Sequence, residues 1–110
     1  MGRLFVHYPE PPYYHCKICN TPLAPSIELL SRNFQARSGE AYFFNYCYNT
    51  DDDLLEEEKQ MITGRYTIRK IYCRCSQEIG WRYIKSFQQD QKFKENKVII
   101  EKAFIRETFK

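Results

Sequence analysis

Four of the five cysteines fall into two close pairs, Cys16-Lys17-Ile18-Cys19 and Cys73-Arg74-Cys75. Two thiolates on one tight turn fix two ligands of an ion at little entropic cost. Two such pairs complete a closed tetrahedral centre, the structural type of zinc site, with sulfurs about 2.3 Å from the ion. The pairs lie farther apart than the roughly 15–20 residues of a zinc ribbon, so a whole sheet must lie between them. The second pair is also one residue shorter. In an extended strand its side chains would point the same way yet stand too far apart for one ion, so the chain must bend sharply at Arg74. If that pair gave only one sulfur, Cys47 or His15 would be the substitute ligand. A weak repeat supports two similar turns. Cys19-Asn20-Thr21-Pro22-Leu23-Ala24 and Cys75-Ser76-Gln77-Glu78-Ile79-Gly80 both run Cys, three residues, an aliphatic and a small residue.

Little else suggests catalysis. There is no Ser-His-Asp or Cys-His arrangement and no Gly-rich phosphate loop. With only His7 and His15 as bases, Cys47 reads as a buried strand residue. A closed four-sulfur site leaves no position for catalytic water. The expectation is a protein that is not an enzyme. At 110 residues, the chain suffices for one domain whose core needs a staple. No apolar run approaches the about 18 residues of a membrane span, and no signal-peptide core opens the chain. Reduced thiols then fit a nuclear or cytoplasmic protein with no membrane partner.

The elements that must position the cysteines read as strands. Residues 1–12, rich in proline, form a tail, and residues 13–110 form the domain. Stretches 41–48, 66–73, 81–87 and 98–105 are aromatic or β-branched with partial alternation. Gly39 and Gly64 sit where reversals are needed, and 88–96 is a polar turn or helical turn. The acidic run 51–58 reads as a solvated loop between strands; calcium is excluded because no Gly bends it. The fold class is therefore mainly β and antiparallel.

In order and spacing the chain resembles the Yippee family. The shared stretches are Cys16-x-x-Cys19, Gly39-Glu40-Ala41-Tyr42-Phe43-Phe44-Asn45, Met61-Ile62-Thr63-Gly64, Ile71-Tyr72-Cys73, Ile79-Gly80-Trp81-Arg82-Tyr83 and Lys92-Phe93-Lys94-Glu95. Family members generally carry C-x-x-C in the second pair, where this chain has C-x-C. The resemblance implies a β-tent, two antiparallel sheets pinned by a structural zinc on Cys16, Cys19, Cys73 and Cys75. It also implies kinship with Mis18 and with the domain of cereblon that holds a small cyclic imide in an aromatic cage. Carried over by motif, Trp81, Tyr83 and Tyr66 become pocket walls and Asn45 the rim; a third cage Trp has no counterpart. Methionine sulfoxide reductases of one class share the tent, but their catalytic Cys lies late in the chain and none follows Cys75 here.

The implied function is a zinc-stabilised binding module. It would take a protein or peptide partner, or a small cyclic ligand, in an aromatic groove, as an adaptor or ubiquitin-ligase-associated subunit. The alternative is binding of RNA or other nucleic acid through Arg65, Arg69, Lys70, Arg74, Arg82 and Lys85, which cluster around the second cysteine pair.

Overall fold

Gly39 and Gly64 adopt positive φ, 125° and 143°, and open the return strands of two hairpins. The computed structural model describes residues 6–109, and among these run ten strands. They are β1 (Tyr13–Cys16), β2 (Pro22–Pro25), β3 (Leu29–Ala36), β4 (Gly39–Phe44), β5 (Thr50–Asp52), β6 (Glu57–Met61), β7 (Gly64–Cys73), β8 (Glu78–Ser86), β9 (Val98–Glu101) and β10 (Ile105–Thr108). A small sheet has the order β10-β1-β2. The large sheet has the order β3-β4-β9-β8-β7, and β5 and β6 share the outer edge of β7. All pairings are antiparallel.

The period of two explains why the large sheet is buried on both faces. Strand β4 sends Tyr42 and Phe44 into one cluster and Ala41 and Phe43 into the other, and β9 divides Val98 and Ile100 from Ile99 in the same way. The first cluster unites both sheets, joining Tyr14, Leu23 and Ile105 to Ile71 and Ile79. The second, on the far face of the large sheet, holds Tyr66, Ile68 and Tyr83, with Phe34, Met61 and Trp81 packed against it. Strand β8 serves both because its register with β7 shifts between Ile71 and Tyr72, so Ile79 is an extra residue. Such a bulge re-aims a strand, here sending Ile79 to one face and Trp81 and Tyr83 to the other.

Three expectations need correction. The stretch 41–48 is strand only to Phe44. The stretch 98–105 is interrupted by a 3₁₀ turn, Lys102–Phe104, that carries the chain from β9 in one sheet to β10 in the other. The acidic run is a loop only over 53–56: its first two residues belong to β5 and its last two to β6. Its carboxylates find cations across the sheet, with Glu58 3.8 Å from Arg65, Glu56 3.0 Å from Arg69, Glu57 3.7 Å from Lys70 and Asp52 2.7 Å from Arg82. Exposed pairs of this kind are worth about 0–1 kcal/mol each, so they select the strand's partner more than they hold the fold. The polar stretch 88–96 contains a 3₁₀ turn, Gln89–Lys94. No described helix is long and apolar enough to cross a membrane.

Candidate metal centre and aromatic cleft

Each cysteine pair lies on the turn of a hairpin, β1–β2 or β7–β8, and the two turns are built alike. In the first, the Cys16 N–H donates to the Thr21 carbonyl at 2.9 Å and the Asn20 N–H to the Cys16 carbonyl at 2.9 Å. In the second, the Cys73 N–H donates to the Gln77 carbonyl at 2.9 Å and the Ser76 N–H to the Cys73 carbonyl at 2.8 Å. Each hydrogen bond of the second turn spans one residue fewer. The residue after the second cysteine is left-handed in both, Asn20 at φ 63° and Ser76 at φ 74°. The bend expected at Arg74 is this shorter turn.

The turns bring four sulfurs together. One potential ligand atom from each of Cys16, Cys19, Cys73 and Cys75 lies within 4.8 Å of all the others. Cys16 and Cys75 sulfurs stand 3.8 Å apart, and those of Cys19 and Cys73 3.4 Å apart. A tetrahedral ion with sulfurs at about 2.3 Å sets sulfur–sulfur edges of about 3.8 Å, so the donor set fits a metal ion without rearrangement. Cys16 and Cys73 are buried, Cys19 and Cys75 exposed. Burial pushes the Cys16 and Cys73 thiols up from their ordinary range. Burial also opposes ionisation of Cys19, yet hydrogen bonds from the Thr21 hydroxyl and N–H, and from the neighbouring thiols, bring it down to about 6. The Ile18 N–H points at the Cys16 sulfur from 3.4 Å, the donor a buried thiolate needs. A bound cation would hold all four as thiolates and tie the two sheets at their turns. Cys47 and His15 stand outside the cluster. Cys47 sulfur lies 3.4 Å from the Thr50 hydroxyl, and His15 Nδ1 2.6 Å from that of Thr108.

The aromatic residues divide. A cleft of about 1000 Å³ opens beside the second cluster, with Phe34, Met61, Trp81, Tyr83 and Phe93 in its walls. Trp81 meets Tyr83 edge to face, with ring centroids 6.2 Å apart. Its indole Nε1 is buried and closes no hydrogen bond. Tyr66 packs on Tyr83 at 4.9 Å but is fully buried and lies outside the cleft lining. Asn45 is exposed and also outside it, its amide donating to Glu28 at 3.0 Å. Sequence reasoning missed Phe34, Met61, Phe93 and above all Lys94, a buried lysine whose ammonium lies 5.0–5.8 Å from the centres of the Phe34, Tyr66, Tyr83 and Phe93 rings. Nothing in a polar stretch such as Gln88–Asn96 signals a buried cation. The expected tail is partly anchored: Asn49 clamps the main chain of His7, accepting from its N–H at 2.8 Å and donating to its carbonyl at 2.9 Å.

Residues 13–108 match the family model described as Yippee zinc-binding/DNA-binding/Mis18, centromere assembly. A yippee-like protein of Arabidopsis thaliana is 40% identical over 106 residues, covering 96% of this chain and 81% of that one. The yippee protein of Drosophila melanogaster is 35% identical over 109 residues, covering 97% and 89%. The crystal structure of the Mis18 Yippee-like domain superposes with a TM-score of 0.67 at 14% identity, covering 90% of this chain and 96% of that one. With two cysteine turns meeting at the junction of two antiparallel sheets, and with these matches along almost its whole length, the chain belongs to the Yippee/Mis18 family.

Proposed function

We propose that the four cysteines hold a structural zinc ion and that the domain is a non-catalytic binding module, taking a protein or peptide partner in the Trp81 cleft. Zinc is favoured because it prefers four thiolates in a tetrahedron, and such a closed site has no open position for substrate. The observation that carries the binding role is the cleft itself. A concave, ring-lined space of about 1000 Å³ has the size and lining of a ligand site, and exceeds what loose packing leaves in a core. An adaptor or ubiquitin-ligase-associated role in the nucleus or cytoplasm is the reading by analogy with the Mis18 and cereblon domains. The nucleic-acid alternative, which the family description's DNA-binding wording favours, loses charge: Arg65, Arg69, Lys70 and Arg82 are all paired with carboxylates of the acidic run.

The test is a selection of peptides from a displayed library, followed by titration against the wild type and Phe93→Ala. Phe93 is 56% exposed, so its truncation leaves the fold intact. Selected peptides are expected to lose at least tenfold in affinity to the variant at an unchanged melting temperature. Equal binding to both proteins would remove the cleft from the function. Salt-dependent binding of single-stranded RNA at higher affinity than any peptide would replace it with the alternative.

A further inference from the structure

The aromatic cage carries its own cation. Lys94 is 3% exposed, and its ammonium donates to the Thr63 hydroxyl at 3.1 Å and the Tyr66 hydroxyl at 3.0 Å. Both partners are neutral, and among the described residues Lys94 enters no ion pair. Two hydrogen bonds leave one of its three protons without an assigned acceptor. Four ring faces offset part of the cost of burying the charge, but a buried cation without a counter-charge stays expensive. The residue lines the cleft.

Two consequences follow for whatever enters. A second cation would meet rings already engaged by an ammonium and a like charge beside them. An anion, in contrast, would supply the counter-charge that the fold leaves out. The lining also carries Arg37, Lys59, Lys70, Glu57, Glu78 and Glu101. Glu57 pairs with Lys70, and the Glu101 carboxylate accepts from the Ser38 hydroxyl. Glu78 and Glu101 would repel an anion, and of the cations in the lining Lys94 is the one buried among rings, whereas Arg37 and Lys59 are exposed.

We propose that the cleft selects the C-terminal carboxylate of a peptide partner, seated on Lys94, with the last side chain against Trp81 and Phe93. This rests on the reading of the cleft as a peptide groove and adds the charge and the end of the chain that it takes. A carboxylate joined to an apolar side chain matches a buried ammonium set among rings, and every unmodified peptide ends in one.

Trp81 is the one tryptophan of the sequence, so its fluorescence reports the cleft directly. The probes are acetyl-Ala-Ala-Phe, acetyl-Ala-Ala-Leu and acetyl-Ala-Ala-Ala, each as free acid and as carboxamide, with 3-phenylpropionate and phenyltrimethylammonium as controls. The wild-type protein is expected to bind the Phe or Leu acid at least tenfold more tightly than its amide, and the quaternary ammonium not at all. In Lys94→Met the acid should fall to the level of the amide. Equal binding of acid and amide by the wild type would overturn the carboxylate while leaving the groove in place, and this comparison stands even if the variant does not fold. Tighter binding of the cation would overturn it as well. Equal affinity for 3-phenylpropionate would reassign the site to small carboxylic acids. No response to any peptide at millimolar concentration would remove the inference and the groove together.

Discussion

Tyr83 and Tyr48 each keep a proton that the unfolded chain would release. Burial pushes the Tyr83 phenol up to about 12, with Tyr66 adding to the effect and the Trp81 indole opposing it. Burial does the same to Tyr48, to about 12, helped by Tyr46 and Tyr13. An unfolded phenol titrates near pH 10. The stability that these groups contribute is therefore complete below pH 10 and is lost as pH rises toward 12. The melting temperature is expected to fall across that window, with the last tyrosinate absorbance appearing only as the strand signal disappears. All nine tyrosines ionising near pH 10 in a folded protein would contradict it. Lys94 is the other residue whose surroundings govern its role, and it shows how a charge in a polar stretch becomes a pocket wall.

At the scale of elements, β8 and β9 approach more closely than any side chain permits. A Cβ on Gly80 would stand 1.8 Å from the Ile99 carbonyl oxygen and 2.8 Å from its carbon, both main-chain atoms that cannot swing away. Gly80→Ala is expected to cost about 3 kcal/mol in a denaturant melt, the upper range for overpacking, because the strand pair itself must part. An unchanged midpoint would mean that the two strands separate freely. The same elements show what the sequence could disclose. Strands β4, β7, β8 and β9 were legible because large apolar residues recur along them. The cysteine pairs were legible because ligand spacing is local. Strand β6, Glu57-Glu58-Lys59-Gln60-Met61, has almost no apolar face, and only the cations of β7 across from it explain why it is extended. The short strands β1, β2 and β10 hold too few residues to display a period. For the aromatic site, the alternation on β8 put Trp81 and Tyr83 on one face. It could not tell that Tyr66 would sink into the cluster behind them, since a ring in a strand looks the same whether it lines a cleft or fills a core.

At the scale of the molecule, the two sheets meet through one apolar cluster and one group of sulfurs. If the proposed zinc ties them, metal binding and folding are a single equilibrium. Cys16→Ser, or prolonged exposure to a strong chelator, is expected to remove zinc and abolish the cooperative thermal transition together, read by elemental analysis and circular dichroism on the same sample. A metal-free protein that still melts cooperatively near the wild-type temperature would show that the cluster of side chains suffices. The pairing of β1 with β10, which sets Tyr13 opposite Thr108, adds a demand of timing. A ribosome delivers β1 well before β10, with the whole large sheet between them in the chain. The small sheet must wait, with the apolar side of β1 and β2 uncovered, until β10 has emerged. Messenger damage or stalling just short of Ile105 would release a product with an unpaired edge, a natural target for quality control.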